Sequence, residues 1–153
     1  MSKNVLIVLC GLPACGKSTY AEMLAESGHF YRICPDLIRK QLYGDENIQG
    51  DGKKVFSIAH KCIKEIGECG QNAVFDATNI NRSRRRKFVA EMRPYFDVII
   101  CKWFSTPYYI CDQRNQARAR KVPNEVLLRM KDNFQQPSME EGWDYVEEIK
   151  NYL

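Results

Sequence analysis

Histidine is scarce in this chain, two residues in 153, and none of its seven cysteines forms a Cys-x-x-Cys pair. Neither His29 nor His60 stands at a ligand-like spacing from paired cysteines, so a zinc finger or zinc ribbon is excluded. The odd cysteine count, with no secretory segment ahead of Val5, argues against a disulfide framework. Reduced, mostly buried thiols in a cytoplasmic protein are the better expectation. Long apolar runs are lacking as well. The longest, residues 5–10, has the length of a strand and is too short to span a bilayer, so no membrane partner is expected. No repeat, linker or low-complexity tract breaks the chain, and residues 1–153 read as a single domain able to bury a core. Charge of one sign is in only mild excess: 23 Lys and Arg against 19 Asp and Glu give +4. That balance permits an anionic partner without demanding one.

What is present is concentrated in "GLPACGKST", residues 11–19. Gly11, four residues, then Gly16-Lys17-Ser18 is the spacing of a P-loop. A match at these four positions arises by chance in fewer than about 1% of such chains. Backbone N–H groups of Gly11, Pro13, Ala14, Cys15, Gly16, Lys17, Ser18 and Thr19, proline's missing one apart, would line the phosphates of ATP or GTP. Lys17 would reach the β- and γ-phosphates, and the Ser18 hydroxyl would ligate Mg²⁺. Glycine lets the backbone curl close to an anion, and a helix N-terminus adds its positive end. Cys15, beside this backbone, is either a thiol of lowered pKa that ATP would shield or a packed, inert one.

Strand-length apolar runs at residues 5–10, 30–34, 73–76 and 98–104 alternate with helix-like segments, the pattern of an α/β fold with a parallel sheet. Val55, Ala59, Cys62, Ile66 and Cys69 share one helical face. "RSRRRKFVAEM" predicts a helix with Phe88 and Met92 inward and a basic outer face. Pro107 opens a helix through about Ala119. Another follows Pro123 with Val126, Met130 and Phe134 aligned. The polar, Gly-rich "YGDENIQGDG" reads as a mobile, acidic loop.

Ligands of open parallel sheets bind beyond the strands' carboxyl ends, so the residues there carry the function. After the second strand, Asp36 and Arg39 stand at i, i+3 on a helix's first turn. The carboxylate could take a hydroxyl proton and the arginine hold an anionic group of the acceptor, or the two form a local capping pair. After the third strand, Asp76 could order Mg²⁺ through water or buttress the acceptor site. Asn79 and Asn81 could cap the next helix or touch substrate. Arg82, Arg84, Arg85, Arg86 and Lys87 make either a solvated face or a track for a phosphate backbone. After the fourth strand, Arg114 and Arg118 are one helical turn apart, followed by Arg120 and Lys121. They would supply charge at a phosphoryl-transfer transition state from a lid over residues 112–124, or form an ordinary charged surface.

Together, "GLPACGKST", the Asp-x-x-Arg of "PDLIRK", "FDATN", "RNQAR" followed by "VP", and the closing "NFQQPSMEEGWD" resemble the polynucleotide 5′-hydroxyl kinases. These belong to a wider P-loop kinase group that includes zeta toxins and small-molecule kinases. The resemblance covers roughly residues 6–145. It implies a P-loop kinase fold: a central parallel sheet of four to five strands flanked by helices, with a helical lid. It implies ATP and Mg²⁺ as cofactors, Lys17 and Ser18 as their ligands, and Asp36 as general base. Arg39 would hold an acceptor phosphate, with Asp76, Asn79 and Arg82 also on the substrate, and Arg114 and Arg118 would bind the donor phosphates. The implied partner is a 5′-hydroxyl end of DNA or RNA; as a departure from that family's pattern, no attached phosphatase or ligase domain is expected. The same machinery aimed at a nucleotide, sugar or other small hydroxyl acceptor is the alternative.

Overall fold

The computed structural model describes residues 3–150; the outer ends of the expected domain, 1–153, lie outside the described residues. Strand β1 (Val5–Cys10) is apolar at every position and pairs in parallel with a strand on each side. An unbroken apolar run of this length suits a central strand covered on both faces. Its alternation sorts the core into two layers. Leu6, Val8 and Cys10 face one set of helices, while Ile7 and Leu9 face the other.

Helix α1 (Lys17–Glu26) leaves β1, packs Tyr20 and Ala21 on the second layer, and returns the chain to the short β2 (Tyr31–Ile33). Helix α2 (Pro35–Tyr43) starts with proline at its first position, where the missing N–H costs nothing. Helix α3 (Gly52–Glu68) leads to β3 (Ala73–Phe75), and α4 (Arg82–Met92) leads to β4 (Val98–Phe104). Helices α5 (Tyr108–Ala117) and α6 (Asn124–Asn133) precede β5 (Tyr145–Ile149). The sheet order is β2-β3-β1-β4-β5, and every pairing is parallel. The crossover from β1 goes toward β2, whereas that from β3 goes toward β4. The crevice beyond the carboxyl ends of β1 and β3 is therefore a topological switch point.

The five-stranded α/β sheet is the expected fold, with four corrections of detail. The buried stripe of α3 is Val55, Ala59, Ile63 and Gly67, while Cys69 is exposed and Cys62 half-buried. The α4 helix is not basic only outside: Arg85 is 2% exposed. Helix α5 ends at Ala117, so Arg118 has extended backbone and does not continue the face of Arg114. The inward residue of α6 is Leu127, between Val126 and Met130. The segment between α2 and α3 is a loop, as expected, and its end is tied down. Asp51 caps α3 by accepting from Lys53 N and Lys54 N, and the Tyr43 hydroxyl accepts from Asp51 N at 3.2 Å. Among the described residues no helix is long and apolar enough to cross a membrane.

Candidate active site

The loop between β1 and α1 is built by backbone geometry that few residues tolerate. Gly11 has φ +155°, and a Cβ there would meet Cys15 Sγ at 2.8 Å and Phe104 Cβ at 3.2 Å. Gly16, the N-cap of α1, has φ +110°, and Ala14 also takes a positive φ, +64°. Such strain in a non-glycine residue concentrates at functional loops. Among the described residues no side chain caps α1 and no acid lies in its first turn. Its leading N–H groups thus face the cleft, an arrangement suited to an anion. The loop is pinned from outside: Gly11 N donates to Thr78 O at 2.9 Å and Thr106 Oγ1 to Cys15 O at 2.9 Å. Buried Lys17 lies along it, with Nζ donating to the carbonyls of Gly11 (2.9 Å) and Leu12 (2.7 Å). Cys15 is 1% exposed, which favours the packed thiol over the reactive one.

A cleft of about 820 Å³ joins this loop to the other expected stations. Of the loop, Pro13, Ala14, Gly16, Lys17, Ser18 and Thr19 line it. Asp36 and Arg39 on α2, Asp76 after β3, Arg114 on α5 and Arg118 just after it line the same cleft. Asp36 Oδ1 accepts from Arg39 Nη1 at 2.8 Å, so the two do form a local ion pair, within the cleft. Arg39 Nε is buried without a hydrogen-bond partner among the described residues. Arg114 reaches the loop, its Nη1 3.5 Å from Ala14 O. Arg118 donates through Nε to Asn115 Oδ1 at 3.2 Å. Burial, then neighbouring Arg120, lowers the Arg118 pKa, opposed by Asp36 and Glu46; a guanidinium nonetheless stays charged.

Two expected substrate residues do not line the cleft. Asn79 (φ +48°) is a brace: its Nδ2 donates to Leu9 O at 2.7 Å and its carbonyl accepts from Arg85 Nη1 at 2.8 Å. The cap of α4 is Asn81, whose side chain accepts from Arg84 N. Arg82 points to the chain after α6, donating to Gln136 O at 3.2 Å with Glu141 3.4 Å away.

The structure also brings in residues that the sequence did not single out for these roles. Arg32 on β2 grips buried Asp76 through Nη2 (2.7 Å) and Nε (3.1 Å). Arg120 crosses from the segment after α5 to Asp36, with Nη1 3.1 Å from Oδ2 and Nη2 3.4 Å from Oδ1, and donates through Nε to Asn47 Oδ1 at 2.8 Å. The acidic loop therefore meets an arginine of the segment expected to be a lid. Asn115, fully buried, holds the connection from α5 to α6 by bonding both N and O of Val122, at 2.9 and 2.7 Å. The Arg-x-Arg spacing of Arg118 and Arg120 was a usable signal. For Arg32 and Asn115 there was none, since their partners lie in other segments.

Among proteins of known activity, the chain is 28% identical over 151 residues to the L-seryl-tRNA(Sec) kinase of Methanococcus maripaludis, covering 92% of this chain and 56% of that one. It is 24% identical to the bifunctional polynucleotide phosphatase/kinase of Schizosaccharomyces pombe, covering 94% of this chain and 33% of that one. The chain thus spans little more than half of the first and a third of the second. A solved structure, Chaetomium thermophilum Kti12 in complex with ADP-AlF3, superposes with a TM-score of 0.73 at 15% identity, over 95% of this chain and 88% of that one. With the loop, the cleft and the sheet in place, the match of residues 6–137 to the AAA domain family completes the assignment: the chain belongs to that family.

Proposed function

We propose that this kinase transfers the γ-phosphoryl group of ATP to the 5′-hydroxyl end of a nucleic acid. The observation that carries the reading is the Asp36–Arg39 pair, 2.8 Å apart, in the same cleft as Lys17, Ser18, Arg114 and Arg118. A hydroxyl held by Asp36 has a cationic neighbour one helical turn away. The 5′-terminal nucleoside of a strand matches that spacing, because its 3′-phosphate lies close to its own 5′-hydroxyl. The buried, unpartnered Nε of Arg39 supports this role, since an anionic acceptor group would satisfy it.

In this scheme Asp36 takes the hydroxyl proton, the oxygen bonds to the γ-phosphorus, and the bond to the β-phosphate oxygen breaks to release ADP. Arg114 and Arg118 stabilise the charge spread over the migrating group. The oxygen donors present, the Ser18 hydroxyl and the Asp76 carboxylate, suit Mg²⁺, which takes few protein ligands and several phosphate and water oxygens. When bound, Mg²⁺ would neutralise phosphate charge.

A second reading follows from the seryl-tRNA kinase relative: the acceptor hydroxyl would be that of a serine carried on tRNA. One assay separates the readings. Nucleoside, nucleoside 3′-phosphate, 5′-hydroxyl oligonucleotide, seryl-tRNA and sugars are compared as acceptors with labelled ATP in one buffer. The expected order puts the oligonucleotide and nucleoside 3′-phosphate far above the bare nucleoside. Seryl-tRNA as the best acceptor selects the second reading, and a sugar or bare nucleoside selects a small-molecule kinase.

A further inference from the structure

A second cavity, about 480 Å³, lies outside the cleft, lined by Lys53, Ser57, His60, Lys61, Lys64 and Glu91. It is a groove between α3 and α4 on the sheet face opposite α1 and α5. The α3 residues repeat at helical spacing, so they form one stripe; on α4, Arg84, Lys87 and Glu91 do the same. The two stripes meet where Glu91 binds His60 Nδ1 at 2.9 Å and Lys64 Nζ at 2.8 Å. That carboxylate is committed to the far end of the groove. Lys53, Lys61, Arg84 and Lys87 are exposed, and among the described residues none of them is in an ion pair. Asp51 and Glu68 stand at the two ends of α3, with the Asp51 carboxylate turned to the backbone as a cap.

The groove starts close to the cleft, although the two share no lining residue. Crossover helices run antiparallel to the strands, so α3 and α4 both begin at the carboxyl edge of the sheet. Gln49 and Phe56, on either side of Lys53, line the cleft, as do Asp76, Ala77 and Thr78 just ahead of α4. From Lys53 to Lys64 the α3 stripe extends about 16 Å at 1.5 Å per residue, room for several backbone phosphates. A row of unpaired cations leading away from the acceptor end fits a polyanion entering it. We propose that this groove holds the backbone phosphates of the acceptor strand downstream of its 5′ end. The proposal rests on the polynucleotide reading, and it moves the strand's path from the row of arginines on α4 alone to the seam between two helices. Arg85, the middle of that row, is buried and takes no part.

The test is the triple variant Lys53→Gln/Lys61→Gln/Lys87→Gln in the whole chain, assayed with nucleoside 3′-phosphate and with a 5′-hydroxyl octanucleotide. The octanucleotide KM is expected to rise about tenfold, and its salt slope to fall by about 2, at roughly 0.7 per lost contact. The kcat values and the KM for nucleoside 3′-phosphate should stay unchanged. An unchanged octanucleotide KM, or an equal rise for both acceptors, overturns the groove. Fluorescence anisotropy of a 5′-phosphorylated octanucleotide, which cannot accept a phosphoryl group, reads binding apart from turnover. Strand binding that the triple variant weakens, without any strand phosphorylation, defeats the polynucleotide reading and leaves the groove. Equal binding by wild type and variant defeats the groove and leaves the reading. If the triple variant fails to fold, Arg84→Gln/Lys87→Gln on α4 poses the same question with a smaller slope change.

Discussion

Asp36 is the residue on which most of the proposed chemistry turns, and its partners are both arginines. Asp36→Asn keeps the size and one accepting oxygen but removes the base. Single-turnover transfer should slow roughly 10²–10⁴-fold, with ATP affinity retained; an unchanged rate removes Asp36 from that role. The thiols make a second prediction at this scale. Burial pushes Cys10 up to about 12 and Cys111 to about 11, and raises Cys101 and Cys34 as well. Thiolate is the reactive form, so these sites are inert near neutral pH. Alkylation of the native protein at pH 8, read by mass spectrometry, should label Cys69 first and Cys62 next. Cys15 should stay unlabelled with or without ATP, since it is 1% exposed; ATP-sensitive labelling of Cys15 would restore the reactive thiol.

Between α5 and α6, element boundaries bear directly on the proposed chemistry, in which this segment is a lid. Because α5 stops at Ala117, Arg114 reaches the P-loop from a helix while Arg118 and Arg120 stand on the bend after it, which Asn115 holds through Arg118 and Val122. Arg118→Ala should lower kcat more than it raises KM for ATP, the pattern of a contact that tightens in the transition state. Arg120→Ala frees Asp36 and Asn47 from the lid. A half-exposed contact of this kind is worth up to about 1 kcal/mol. Acceptor-free ATP hydrolysis should therefore rise by up to about fivefold as water gains access, measured as ADP release. Unchanged hydrolysis would make the Arg120 contact incidental. The arginines themselves were legible from "RNQARARK", but their division between helix and return was not. Helical spacing predicts a shared face only as far as the helix continues.

At the scale of the whole molecule, a buried ion pair ties the chain after α6 to α4. Arg85 and Glu141 meet in two bonds of 2.6 and 2.9 Å, Trp143 Nε1 donates to Glu141 at 3.1 Å, and Arg85 also donates to the carbonyls of Asn79 and Gln135. Removing one partner strands a buried charge. Arg85→Met should lower stability to urea by about 3–5 kcal/mol. Burial raises the Glu141 pKa, but bonds from Arg85 and Trp143 outweigh it and hold the group below its ordinary value. The folded pKa is therefore below the unfolded one. The stabilisation is present in full above the ordinary carboxylate value and is lost as pH falls through the lowered folded value. The stability gap between wild type and Glu141→Gln should be constant near neutrality and shrink below about pH 4.3. A gap that holds constant down to pH 2 would detach Glu141 from acid unfolding.

The phosphate-binding loop, the central strand ahead of it and the α/β alternation were determined by the sequence itself. Each rests on neighbouring residues: glycines where φ is positive, a lysine beside them, an apolar run with no break. The carboxyl-end stations Asp36, Arg39, Asp76, Arg114 and Arg118 followed once the strands were placed, and all five line one cleft. Which charges pair was decided only by the tertiary structure. Arg32 meets Asp76 across 44 residues, Arg85 meets Glu141 across 56, and Arg120 meets Asp36 across 84. Asn79 and Arg82 were drawn away from the cleft by the same long-range packing. An arginine's charge is written in its codon, but its burial depends on whether a carboxylate or carbonyl arrives from elsewhere in the chain, and local spacing carries no record of that.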